Sequence, residues 1–279
     1  MSPKKTDAPS LEKAWRHALL DVFARVGTGL ADPSPTDEAV HAARRELKRL
    51  AALTRLAPAS LRPLARDTRA AADLARKALG GRRDAAVLAR LIETSALKLG
   101  SSEPAVRAAV ENIAKPLAAD ALAEARGLLE GLRAQWGAAA VADAELVERA
   151  VKTYRRARRL MRKAQDGSAK ALHSWRGAVV AHHYQMAFMA RLAPSLKSRA
   201  KAVDALRDRL GDWNDIDMLQ VHTRRALDRA DRRALGEAVA DDKEKLVKAA
   251  GKAGLDLFER RARDFAGTLR EALATATVA

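Results

Sequence analysis

An all-α fold is predicted for this 279-residue chain by three observations. Ala, Leu, Arg, Lys and Glu dominate the sequence, and all are good helix formers. Apolar residues recur at helical spacing almost from end to end. No convincing alternating strand pattern interrupts them. The spacing predicts helices over about 10–26, 37–56, 60–79, 84–99, 104–135, 142–165, 168–192, 196–210, 214–228, 231–250 and 254–274, with ends uncertain by two to four residues. Residues 1–9 are polar and are expected to be disordered, leaving one folded domain over 10–276.

Several elements carry their own start signals. Asp32-Pro33-Ser34-Pro35-Thr36 precedes the helix over 37–56. Ser102 and Pro104 open the long helix that follows, and Asp166-Gly167-Ser168 precedes the helix over 168–192. Leu79-Gly80 and Leu210-Gly211 each read as a helix end with a left-handed glycine cap. Asp84 and Asp215 then read as caps of the next helix, or as carboxylates that orient a nearby His or Arg.

The helix over 37–56 is the most informative. At 100° per residue, His41, Arg44, Arg45, Lys48 and Arg49 fall within one arc roughly 140° wide, and Arg55 returns to it. Ala43, Leu47 and Leu50 lie opposite and face a core. Glu46, the only local carboxylate, points elsewhere. Gathering like charges on one face weakens a helix slightly, so a polyanionic partner is the simplest compensation. Lys152, Arg156, Arg159 and Lys163 form a second stripe. His173, Arg176, His183 and Tyr184 form a third. Arg62, Arg66, Arg69, Arg76 and Lys77 form another, interrupted by Asp73, and it reads as a solvated face.

Composition narrows the partner. There are 52 Lys and Arg against 35 Asp and Glu, a formal charge of +17. That excess implies nucleic acid, anionic lipid or a phosphate polymer. Aromatics are only 4 %, which counts modestly against single-strand binders with their stacking platforms. There is no cysteine, which excludes disulfides, thiolate metal sites and thiol nucleophiles and fits a reducing cytosol. No apolar run reaches the ~20 residues of a membrane span, and the start lacks a signal-type stretch. The reading is a soluble cytoplasmic protein. The histidines offer no His-x-x-x-His pair, so no metal is expected. There is no Gly-rich phosphate loop and no clustered carboxylates, so no cofactor and no catalysis are expected. Trp15, Trp136, Trp175 and Trp213 read as packing residues, and His182 as core. His17 and His222 have no supporting pattern.

An internal repeat organises the whole. His41-x-x-Arg44 recurs as His173-x-x-Arg176. Arg55-Leu-Ala-Pro58 recurs as Arg191-Leu-Ala-Pro194, and Leu79-Gly-x-x-x-Asp84 as Leu210-Gly-x-x-x-Asp215. The chain divides into two related halves, about 37–140 and 150–276.

In this order and duplication the motifs resemble the CHAD domain, the conserved histidine α-helical domain, over about residues 10–275. His41, Arg44, Lys48, Arg49 and Leu50 match its first pattern; His173, Arg176 and Tyr184 match its second. Tyr154-Arg-Arg-Ala-Arg-Arg159 resembles the basic run before the second histidine. Val180 stands where the family commonly has Lys, and His183 where it has Arg. The resemblance implies two four-helix bundles related by pseudo-twofold symmetry with a central basic cleft. It implies binding of inorganic polyphosphate and recruitment to polyphosphate granules and their proteins. Nucleic acid is the alternative ligand on charge alone, expected otherwise only as a non-specific competitor. His41 and His173 then either donate to phosphate as imidazolium or stay neutral and orient an Arg.

Overall fold

The computed structural model describes residues 10–32, 34–94, 98–113, 117–139 and 141–278. Among these the chain is all-α. The first half contains α1 (Leu11–Gly29), α2 (Asp37–Leu53), α3 (Arg62–Ala78), α4 (Gly80–Thr94), α5 (Glu103–Glu111) and α6 (Ala119–Gly137). The second contains α7 (Asp143–Lys163), α8 (Ala169–Leu192), α9 (Lys197–Thr223), α10 (Arg229–Phe258) and α11 (Ala262–Val278).

Local chemistry sets the ends. Thr36 caps α2, its hydroxyl accepting from Ala39 N–H at 3.2 Å. Gly167 (φ 72°) takes the left-handed turn between α7 and α8 that a side chain would resist. The Asp166 carboxylate accepts from Ser168 N–H at 2.9 Å in the same turn. Pro104 stands in the first turn of α5.

Three expected boundaries move. The single helix over 104–135 is two, α5 and α6. The sequence has a proline at 116, a signal against one continuous helix; it lies outside the described residues. The break at Gly211 is absent: α9 runs through it, so Gly211 caps nothing and Asp215 is mid-helix rather than an N-cap. The break near 250–254 is likewise inside α10. Gly254 is there for close packing, since a Cβ would stand 2.6 Å from the Trp175 ring. Residues 1–9 and the Asp84 side chain lie outside the described residues.

Two apolar clusters hold these helices. The larger is built on Trp15, Leu19, Leu47, Leu50, Trp136, Tyr154, Trp175 and Leu206, all at most 2 % exposed. Fully burying each such side chain contributes about 1.5–3 kcal/mol. Trp15 and Trp136 meet edge to face at 5.8 Å, and their indole N–H groups donate to the Leu53 carbonyl and the Thr68 hydroxyl. The smaller cluster joins α4 and α5 (Leu88, Val106, Val110) to the later turns of α9 and the early turns of α10 (Ile216, Leu219, Leu235, Val239). Thus α9 and α10 each span both clusters, whereas the first half reaches the second cluster with separate helices.

The two histidine-bearing helices, α2 and α8, pack against each other. Buried Gln185 of α8 donates to the Ala52 carbonyl of α2 at 3.0 Å. That contact brings the end of α2 beside the α7–α8 pair.

Candidate anion-binding site

The sidedness of α7 creates the site. Leu146, Ala150, Tyr154, Ala157 and Met161 turn into the core. Tyr154 fixes the rotation of the helix: its ring stacks on Phe265 at 4.2 Å and its hydroxyl donates to the Arg260 carbonyl at 2.8 Å. The opposite face therefore presents Arg149, Lys152, Arg155, Arg156 and Arg159. With Arg55, from the short turn Thr54–Leu56 after α2, these cations line a pocket of about 470 Å³. Thr153 and the α8 residues Gly177, Ala178 and Ala181 complete it. No carboxylate lines this pocket among the described residues, and none of its six cations forms an ion pair there.

The crowding registers in the guanidinium groups. Burial lowers the pKa of Arg55, and neighbouring Arg69 and Arg156 lower it further against the pull of Asp73. Arg69 of α3 is shifted the same way, by burial and by Arg149. Arg149 donates to the Arg55 carbonyl at 3.4 Å, tying the two halves at the pocket wall.

Of the residues expected to bind the anion, Arg55, Lys152, Arg156 and Arg159 meet here. Lys163 is exposed at the end of α7 and does not line the pocket. Arg149 and Arg155 join although the sequence reading passed over them. Arg149 extends the same stripe by i, i+3 and i+7, and Arg155 lies one turn before Arg159, so both were within reach of the helical wheel. Arg69 belongs to the same cationic field, unlike Arg66 and Arg76, which pair with Asp67 and Asp73 on the solvated face.

The first-half row is more structural than expected. Ala43, Leu47 and Leu50 are buried as anticipated, and His41 and Arg45 are exposed. Arg44, however, donates to the Arg76 carbonyl at 2.6 Å and so satisfies the last turn of α3. Glu46 reaches Arg25 of α1 at 3.0 Å yet stays 3.9 Å from Arg49, so it is not wholly turned away from the row. Lys48 is half-buried on the same helix.

The second-half row divides. His173 lies 2.9 Å from Asp217 of α9, whose other oxygen accepts from Lys243 of α10 at 2.8 Å. Trp213 abuts the imidazole edge to face at 5.0 Å. Burial works to raise the pKa of Asp217, but the hydrogen bonds from Lys243 and His173 outweigh it and the carboxyl is held low. The histidine-orienting carboxylate is therefore Asp217, not Asp215; an unbroken helix carries it to the correct face. Arg176 is half-buried on α8. His183 faces another way, with Nδ1 3.3 Å from Asp204. Burial lowers its proton affinity, as do Arg207 and Arg49, against Asp204 and Asp208. The adjacent Tyr184 is pushed up by burial while Arg207 opposes, with Arg45 and Arg49 also in range. These side chains meet where α2, α8 and α9 converge. His182 is fully buried among Tyr154, Phe258 and Phe265, as expected of a core residue.

A family model for the CHAD domain matches residues 13–224. The chain belongs to the CHAD domain family. The CHAD domain of the plant Ricinus communis, known from a crystal structure, superposes with a TM-score of 0.55 at 20 % identity. The match covers 98 % of this chain and 93 % of that one. No curated protein matches the chain. In this CHAD domain no helix among the described residues is long and apolar enough to cross a membrane. No three His, Asp or Glu side chains among those residues are grouped to hold a metal ion.

Proposed function

We propose that this CHAD domain binds inorganic polyphosphate without catalysis, through the pocket walled by α7, α8 and the turn after α2. The observation that supports the reading is six cations around one recess with no carboxylate among them. Arg can take phosphate oxygens in pairs, and Lys152 adds a mobile point charge. Polyphosphate offers regularly spaced charge and no bases, which suits a site with no aromatic lining. The grouping of Arg45, Arg49, His183 and Tyr184 where α2, α8 and α9 converge extends the surface that a long polymer can follow. Retention of the protein at polyphosphate granules in the cytoplasm, among granule proteins, follows from the same reading.

Competition tests it. Retention of the protein by immobilised polyphosphate is measured over a salt series, with polyphosphate or duplex DNA as soluble competitor at equal phosphate. Counterion release makes binding fall steeply with salt, by roughly a thousandfold between 50 and 200 mM for six phosphate contacts on the DNA scale. Polyphosphate should displace the protein at lower concentration than DNA. No retention at moderate salt overturns the reading. Displacement by DNA at the lower concentration replaces it with nucleic-acid binding, and metal-dependent release of orthophosphate would replace it with hydrolysis.

A further inference from the structure

The same pocket has a shape as well as a charge. It is recessed, and its volume of about 470 Å³ falls within the range of small-molecule sites, about 300–1,000 Å³. Its α8 wall is made of Gly177, Ala178 and Ala181, side chains too small to fill the space between the cations. A Cβ on Gly177 would meet nothing within 4 Å, so the emptiness extends to the backbone of α8. Five of the six cations come from the stripe on α7, and Arg55 joins them from the turn after α2. A recess with cations from more than one element can hold charge gathered in one place as well as a stretch of polymer.

We propose that this pocket seats one compact small molecule carrying several phosphates, such as a cyclitol polyphosphate or a short linear oligophosphate, which competes there with the polymer. The inference rests on the polyphosphate reading of the pocket and narrows it to a discrete ligand. Half-buried Arg55 and Arg149 meet the phosphates from within the recess, while the exposed Lys152, Arg155, Arg156 and Arg159 close over them from α7. The small α8 wall leaves room for the ring or chain that joins them. Such a ligand would make occupation of the pocket by the polymer depend on its own concentration.

The test is calorimetric titration of the full chain with inositol hexakisphosphate and, separately, with tripolyphosphate at moderate salt. The expected result is saturable one-to-one binding and displacement of bound long-chain polyphosphate. Tighter binding of the inositol compound assigns a cyclitol; tighter binding of tripolyphosphate assigns a linear ligand. Gly177→Leu fills the recess from a helical position that favours Leu over Gly, and should weaken the small ligand at least tenfold. Arg156→Ala, at an exposed position, removes one cation without touching the core and should weaken it severalfold. If the wild-type chain retains polyphosphate but neither small compound saturates it, the inference falls alone. Unchanged small-ligand affinity in Gly177→Leu also overturns it, because the ligand would then sit elsewhere. If the chain retains neither polymer nor small compound, the polyphosphate reading falls as well.

Discussion

His182 shows how much one side chain can govern. It is fully buried, and neither ring nitrogen has a hydrogen-bond partner among the described residues. Burial drives its pKa well below the usual 6.5, and Arg199 and His183 push the same way. The unfolded chain thus takes up a proton near pH 6.5 that the folded chain refuses. Stability is fully present above that value and falls as the pH drops towards the lower folded pKa, by at most about 1.4 kcal/mol per unit. Denaturant unfolding at pH 7.5 and 5.5 should show this loss in the wild type. His182→Leu should flatten it, and an unchanged slope would remove His182 as its source. Thr68 poses a second, pH-independent case. Its hydroxyl accepts the Trp136 indole N–H at 2.9 Å in a buried site. Thr68→Val leaves that donor unsatisfied and should cost about 1–3 kcal/mol in the same assay.

At the scale of the element, contacts between helices matter more than propensity. The start of α1 is held from the other half of the chain: Asp143, at the head of α7, accepts from Leu11 N–H at 3.2 Å and Glu12 N–H at 2.7 Å. Asp143→Ala should destabilise the fold by about 0.5–2 kcal/mol, read as a lowered melting temperature. On α10, Trp175 of α8 and Met161 of α7 leave room at position 254 for glycine alone. Gly254→Ala should cost about 1–3 kcal/mol by driving a methyl into the Trp175 ring, with near-ultraviolet circular dichroism reporting the disturbed indole. Neither contact was legible in the sequence. Helical periodicity finds which face is apolar, so α2, α7 and α8 emerged with nearly their observed limits. It does not say whether a glycine ends a helix or lets two helices touch, and so Gly211 and Gly254 were misread as boundaries. It found the α7 stripe but not its meeting with Arg55 through the packing of α2 on α8.

For the whole molecule, the charge excess resolves into places of different kinds. Arg44 and Arg25 serve intramolecular acceptors, while among the described residues the pocket cations serve none that carries a full negative charge. Arg156→Glu with Arg159→Glu should therefore lower polyphosphate retention at least tenfold with the melting temperature nearly unchanged, since both side chains are exposed and outside any ion pair. Arg44, Lys48 and Arg49 reversed to Glu together should instead lose stability along with binding, because Arg44 holds the end of α3.

The two halves also differ in helix continuity. Where the first joins its clusters through a joint at Leu79–Gly80, the second drives α9 through as one strut of 27 residues. Bending is then expected at that joint rather than along α9. Amide hydrogens around 208–216 should resist exchange as a block, while those flanking Leu79 open first. The wall of the pocket built on α8, which leans on that strut, would stay still while the opposite half flexes.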